Sequence, residues 1–356
     1  MVPADAAAWM ARAAALAERG RGRTTPNPLV GAVVVSPDGV VLGQGAHLKA
    51  GEPHAEVFAL RAAGALAKGA TLYCTLEPCC HTGRTGPCVE QIAAAGITRV
   101  ITAVEDPNPR VAGGGHAWLR AHGIEVHTGV GAARARRQNA PFFSWVTRRR
   151  PWVIQKTTVS IEGHVSRPGE TVALSGDVAN RWMHRQRAWV DALMVGAETV
   201  LVDDPSLTAR GAFRYRPLTR VVVDWRGRVP ASARVFATTA AGPLIMVGLE
   251  SVSRSRLADW TAAGADVVLL PERDLPAVLH VLGTRDLQSV LVEGGPRLQQ
   301  AMIAAGCVDA VEWVETRTSL PEGVPAAEGL LRWRRDGRSC RTHQWGADVM
   351  LEGLWG

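Results

Sequence analysis

Short apolar segments of strand character alternate with amphipathic segments from Val30 to Asn139, break at Arg148-Arg149-Arg150-Pro151, and resume at Trp152. Elements in that order pack as helices against a largely parallel sheet, which predicts an α/β fold on each side of the break. In the first stretch we expect helices at 5–19, 54–66, 87–95, 116–122 and 132–139. Strands are expected at 30–35, 40–45, 70–76, 99–104 and 125–130. Thr25-Pro26-Asn27-Pro28 must be a loop, because two prolines restrict it. Ser36-Pro37-Asp38-Gly39 is a turn that makes the first two strands a hairpin.

With 356 residues, and domains of roughly 150 residues as the rule, two domains are expected. Charge followed by proline places the linker near 145–151 and the domains at 1–147 and 148–356. Beyond it, strands are expected at 152–157, 190–195, 219–224, 243–248, 266–270, 288–293 and 309–314. The halves share no repeat.

The hydrophobic fraction is 47% and the mean hydropathy +0.02, enough for packed cores. No run approaches the roughly 18 apolar residues that span a bilayer. Asp5, Arg12, Glu18 and Arg19 interrupt the alanine-rich start, so no signal peptide is read there, and we expect a soluble cytoplasmic protein. The net charge is +7, and lysine occurs only at 49, 68 and 156. The arginines are scattered without interleaved aromatics. That distribution suits an anionic small molecule better than nucleic acid, and neither a nucleic-acid nor a membrane partner is expected.

Of six cysteines, four fall at 74, 79, 80 and 88, and the others at 307 and 340. Such crowding reads as metal or catalysis rather than a disulfide framework. His54-Ala55-Glu56 opens a helix, and Pro78-Cys79 and Cys88 follow. One imidazole and two thiolates leave a zinc ion one open position, and Glu56 is placed to carry protons between a water and a departing amine. The alternative is a closed structural site with Glu56 or Cys80 as fourth ligand. Cys74, Cys307 and Cys340 read as incidental thiols. Between Cys79 and Cys88 the insertion holds His81, two glycines and Arg84, groups suited to an anionic substituent of a substrate.

In the second half, Gly294-Gly295-Pro296 follows an apolar strand and precedes a helix, a junction where backbone can approach phosphate closely. The segments 195–200 and 203–210 also follow a strand end, where open α/β sheets bind ligands.

Four motifs in order, Thr25-Pro26-Asn27-Pro28-Leu29-Val30-Gly31, Gly51-Glu52-Pro53-His54-Ala55-Glu56, Thr75-Leu76-Glu77-Pro78-Cys79 with Gly83-Arg84-Thr85, and Asp106-Pro107-Asn108-Pro109, resemble the bifunctional deaminase–reductase family of riboflavin biosynthesis. The resemblance covers nearly the whole chain. It implies an N-terminal cytidine-deaminase-like α/β/α domain and a C-terminal dihydrofolate-reductase-like α/β domain, with Zn2+ and NADPH as cofactors. It implies that His54, Cys79 and Cys88 bind zinc, that Glu56 is the proton donor, and that Asn27, Asp106 and Asn108 hold a pyrimidine, with His81 and Arg84 near its phosphoribosyl arm. In the second domain it implies that Lys156, Thr171, Arg187, Leu207, Arg210 and Glu293 meet the substrate, and that Thr158, Ala173, Thr199, Asp203 and Gly295 meet the cofactor. A homo-oligomer is also expected.

The chain departs from the family pattern at Ser160-Ile161-Glu162-Gly163-His164, where the family has Ser-Leu-Asp-Gly followed by Lys or Arg. It departs again at Thr171, at Ala173-Leu174-Ser175 in place of Trp-Ile-Thr, and across 314–323. Two other readings therefore stand beside the bifunctional enzyme. One is a deaminase with a non-catalytic supporting domain; the other is a nucleic-acid base deaminase.

Overall fold

The computed structural model describes residues 2–81, 86–109, 111–338 and 341–355, and the chain divides into two compact units, Met1–Arg149 and Arg150–Gly356. The first runs α1 (Ala6–Ala17), β1 (Gly31–Val35), β2 (Val41–Ala46), α2 (Ala55–Ala63), β3 (Thr71–Cys74), α3 (Cys88–Ala94), β4 (Arg99–Thr102), α4 (Gly114–Ala121), β5 (Glu125–Thr128), α5 (Ala132–Gln138) and α6 (Ala140–Arg148). Its sheet order is β2-β1-β3-β4-β5. The hairpin and β1–β3 are antiparallel, and β3, β4 and β5 run parallel, as the alternation implies.

Every residue of β1 is buried, with Met10 and Ala13 of α1 in the same core. On the other side α2 lies directly on β2. A Cβ on Gly45 would stand 2.4 Å from the Ala55 carbonyl oxygen, so only glycine permits this approach. That contact fixes the start of α2, and with it His54 and Glu56.

The second unit runs β6 (Trp152–Val159), β7 (His164–Ser166), α7 (Asp177–Trp189), β8 (Ala192–Gly196), α8 (Ala197–Asp203), β9 (Thr219–Val223), α9 (Arg234–Ala237), β10 (Leu244–Leu249), α10 (Arg254–Ala262), β11 (Asp266–Leu270), α11 (Leu275–Thr284), β12 (Ser289–Val292), α12 (Pro296–Ala304), β13 (Ala310–Glu315), β14 (Val324–Pro325), α13 (Glu328–Arg335), β15 (Arg341–Trp345) and β16 (Asp348–Leu354). Among the described residues its main sheet has nine strands in the order β11-β10-β9-β8-β12-β6-β13-β16-β15. β13, β16 and β15 pair antiparallel, and the remaining neighbours are parallel. Strand residues divide between two cores by parity: Met194, Val221, Ile245 and Val290 pack on one face, and Leu193, Val222, Met246 and Leu291 on the other. Both faces are covered, as parallel strands require.

One expectation is corrected here. The linker placed at 145–151 is helix as far as Arg148, because Pro141 fits the first turn of α6 and Arg149, at φ 55°, closes it in the left-handed region. Arg150 is equally well anchored, with its guanidinium bidentate on Asp309 at 2.7 and 2.8 Å. The antiparallel β15–β16 hairpin was also not anticipated. Arg341, Thr342, His343 and Gln344 give β15 too polar a pattern to stand out as a strand.

Candidate functional site

His54 is the residue before α2, and Cys88 opens α3. Their side chains converge with Cys79. His54 Nδ1 lies 3.2 Å from Cys88 Sγ and 3.5 Å from Cys79 Sγ, and the three candidate ligand atoms lie within 4.8 Å of one another. The Cys88 backbone N–H donates to Cys79 Sγ at 3.4 Å. Cys79 is pulled down to about 4 by its side-chain hydrogen bond with Cys88 and by His54, while Cys88 is pushed up. Imidazole and thiolate in a tight triangle are a donor set that suits zinc.

Glu56, in the first turn of α2, sits beside this triangle and is only 3% exposed. Its Oε2 is buried with no hydrogen-bond partner among the described residues. Burial raises its carboxyl, and the His54 charge opposes. An orphaned carboxylate oxygen beside two sulfurs and an imidazole can take up or give a proton at that spot.

A second layer surrounds the triangle. The Asn27 amide donates to His47 Nε2 at 3.0 Å, and His47 Nδ1 donates to the Pro53 carbonyl at 3.1 Å. The His47 ring meets His54 edge-on at 5.4 Å, so Asn27 reaches the metal side through one histidine. Asn139 holds the same loop by a reciprocal pair with Leu29, at 2.7 and 2.9 Å. Asp106 is pushed up to about 6, mainly by burial, and accepts the Asn108 backbone N–H at 2.8 Å. His81 is half-buried, and its Nδ1 has no partner among the described residues. Arg84 lies outside the described residues.

Glu77 binds these parts together. Its carboxylate accepts backbone N–H groups from Asp106 at 3.2 Å, Gly113 at 2.9 Å and His116 at 3.0 Å. Glu77 falls within the Thr75–Cys79 motif, but the motif marks no role for it, and nothing in the sequence marks one for His47 or Asn139. Glu77 stands two residues before a metal-ligand candidate, and that position was the available signal.

The second unit contains a cleft of about 1480 Å³ at the carboxyl ends of its parallel strands. Lys156, Arg187, Leu207 and Glu293 line it, as do Thr158, Ala173, Thr199, Asp203 and Gly295. Glu293 Oε2 accepts two bonds from Arg187, at 3.1 and 2.5 Å, and Lys156 Nζ lies 4.0 Å from Oε1. Arg187 also donates to the Thr208 carbonyl at 3.1 Å. Burial alone would raise Glu293, but Arg187 and Lys156 pull it down to about 2, whereas burial lowers Lys156. Leu207 is buried at φ 51°, a left-handed conformation costly for a leucine. Gly295 leaves open space where a Cβ would stand.

Two of the expected substrate residues are not among those lining this cleft. Thr171 is exposed and donates to Asp203 at 2.7 Å, so it reaches the cleft through that carboxylate. Arg210 is exposed, and its charge acts on His184. The departures at Glu162 and His164 also lie off the cleft lining. Glu162 accepts from Ser160 and Ser319, each at 2.6 Å, and from the Leu320 backbone at 2.8 Å. His164 Nδ1 lies 2.8 Å from the Leu320 carbonyl. These two residues lock a turn to the loop after β13. Ala173, Leu174 and Ser175 are the departures that line the cleft.

Comparison with known proteins agrees with both halves. Residues 3–104 match the model of the cytidine and deoxycytidylate deaminase zinc-binding region, and residues 151–314 match the RibD C-terminal domain. The riboflavin biosynthesis protein RibD of Aquifex aeolicus is 39% identical over 304 residues, covering 85% of this chain and 84% of that protein. The RibD of Bacillus amyloliquefaciens is 42% identical over 319 residues, covering 86% and 82%. Among solved structures, Acinetobacter baumannii RibD superimposes with a TM-score of 0.84 at 34% identity, over 98% of both chains. A diaminohydroxyphosphoribosylaminopyrimidine deaminase/5-amino-6-(5-phosphoribosylamino)uracil reductase from Thermotoga maritima gives 0.83 at 30% identity, over 98% of this chain and 97% of that one.

Proposed function

The chain belongs to the RibD family of bifunctional riboflavin-biosynthesis enzymes, and from that premise we propose that its two units carry out successive steps. The first is hydrolytic deamination of 2,5-diamino-6-(5-phosphoribosylamino)pyrimidin-4-one at C2. The second is reduction of the ribosyl group of the product to ribityl. The observation that carries this reading is the triangle of His54, Cys79 and Cys88 with the unpartnered Glu56 Oε2 beside it.

Zinc in that triangle would supply Lewis acidity for attack of water on the amine-bearing carbon. The chain's own groups do the rest. Glu56 accepts a proton from the water and returns it to the departing amine. Asn27, Asp106 and Asn108 orient the pyrimidine with their amide and carboxyl groups. His81 and Arg84 take the phosphoribosyl arm.

In the second unit NADPH would supply the hydride. Thr158, Ala173, Thr199, Asp203 and Gly295 are the residues we assign to holding it, in a cleft of fitting size. Lys156, Arg187, Leu207 and Glu293 would bind and orient the ribosyl phosphate, with Thr171 and Arg210 contributing from the rim. Arg187 and Lys156 against Glu293 leave one net positive charge, which suits an anionic substrate. The same reading takes a small molecule as the substrate, in the cytoplasm, and a homo-oligomer as the assembly. No helix among the described residues is long and apolar enough to cross a membrane.

Paired variants test the division of labour. Glu56→Gln should release no ammonia from the diaminopyrimidine yet oxidise NADPH when given the deaminated intermediate. Lys156→Met should release ammonia at the wild-type rate and oxidise little NADPH. Loss of both activities in either variant would contradict two separate sites.

A further inference from the structure

Lys156 is bracketed by carboxylates on both neighbouring strands. On one side stands Glu293, just past Val292, which pairs with Gln155. On the other, the β6–β13 register sets Lys156 directly opposite Glu312. The row continues, since Glu312 pairs with Glu352 on β16, and Glu352 with Arg341 on β15. Paired residues on adjacent strands share a face, so four strands and the residue just past β12 carry one transverse line of ionisable groups: Glu293, Lys156, Glu312, Glu352 and Arg341.

The two carboxylates beside the lysine are not equivalent. Glu293 is committed to Arg187 and lines the cleft. Glu312 lies outside the cleft lining and, among the described residues, is paired with no arginine, and its Oε2 is buried without a partner. Glu352, in contrast, is tied to Arg341 at 3.0 Å, with His343 at 3.8 Å. A strand carboxylate with one oxygen buried and unpartnered, facing a lysine that the cleft needs, is costly unless it acts on that lysine.

Resting on the reductase reading of this cleft, we infer that Glu312 is a positioning residue for Lys156, a second carboxylate whose ionisation draws the ammonium away from Glu293 and the substrate. The surroundings decide when that happens. Burial and then Glu352 push Glu312 up to about 8, against the pull of Lys156, with Gln186 donating from α7 and Glu293 adding a further negative charge. At neutral pH Glu312 is therefore a neutral acid, and Lys156 faces Glu293 and the cleft. Above pH 8 Glu312 becomes a competing anion, and the net positive charge available to the substrate is cancelled.

The test uses the full-length protein and reads KM and kcat for 5-amino-6-(5-phosphoribosylamino)uracil from pH 6.5 to 9.5, with ammonia release as the measure of an intact chain. Wild-type KM should rise roughly tenfold from pH 7 to pH 9 with kcat nearly constant, as a single group titrating about one unit below the upper limit requires. Glu312→Gln should flatten that rise, and Glu312→Asp should restore it. An identical KM profile in wild type and Glu312→Gln, or a uniform loss at every pH, overturns the proposal. Infrared titration of the buried carboxyl supplies a readout independent of turnover. Its carbonyl band should vanish in Glu312→Gln, and it should titrate at higher pH in Lys156→Met; an unchanged titration there overturns the coupling. Wild-type protein that oxidises no NADPH at any pH would instead fail the reductase reading, and the infrared shift distinguishes that failure from an error about Glu312.

Discussion

Glu77 accepts the backbone N–H of Asp106 at 3.2 Å, and through that bond the loop carrying the proposed metal ligand Cys79 and the loop proposed to hold the pyrimidine share one anchor. The same carboxylate also takes the N–H groups of Gly113 and His116. Glu77→Gln would set an amide N–H against backbone donors, at a cost of about 1–3 kcal/mol for each donor left unpaired. We expect deaminase KM to rise at least tenfold in Glu77→Gln, with NADPH oxidation from the deaminated intermediate unchanged. A wild-type deaminase KM would show that the anchor does not position substrate.

Gly115 tests the same junction from the other side. A Cβ there would lie 2.0 Å from the Pro78 carbonyl oxygen and 3.2 Å from the Glu77 side chain. Both neighbours are held in place, so Gly115→Ala must push the loop that carries Cys79. The expected result is weakened zinc retention against a competing chelator, together with reduced ammonia release. Full zinc content in this variant after the chelator challenge would contradict the packing argument.

Metal content follows from the triangle. His54→Ala, Cys79→Ser and Cys88→Ser should each lose zinc and ammonia release while sparing reduction. Cys80→Ser should keep one zinc per chain, because the three converging ligands are His54, Cys79 and Cys88. Zinc loss in Cys80→Ser, measured by atomic emission on purified protein, would bring back the closed four-ligand site.

Acid sensitivity of the second unit should trace to Glu293. Its carboxyl is held down to about 2 against an ordinary 4.5, so its stabilising contribution is fully present above pH 4.5 and is lost as pH falls toward 2. Glu293→Gln leaves Arg187 and Lys156 without their shared anion, a loss of about 3–5 kcal/mol for a buried pair broken on one side. The gap in melting temperature between wild type and Glu293→Gln should therefore be wide at pH 7 and shrink by pH 3. An equal gap at both values would contradict the ion pair as its source.

The convergence of the candidate metal ligands was legible in the sequence because each residue type is rare and its spacing is constrained: a His-x-Glu pair at a helix start, then Pro-Cys and a further Cys at a helix start. The alternation of elements was legible for the same kind of reason, since apolar strand runs such as Val30–Val35 have few other uses. Glu77, His47 and Asn139 were not legible in their roles. Each works through hydrogen bonds between segments far apart in sequence, and nothing local marks a glutamate that will accept three backbone donors. Glu312 was hidden differently, because a single charge in an apolar strand declares no partner until the register is known. The end of α6 and the β15 strand were obscured by arginines, histidine and glutamine on faces that packing, rather than composition, makes regular.

The central claim is that one chain performs both reactions. The most direct measurement is mass spectrometry of the products formed by zinc-loaded full-length protein from 2,5-diamino-6-(5-phosphoribosylamino)pyrimidin-4-one, with and without NADPH. Two active sites predict the deaminated ribosyl compound alone without NADPH and the ribitylamino compound with it. Deaminated product in both reactions would contradict the reductase and leave a supporting domain, and unchanged substrate in both would contradict the account as a whole.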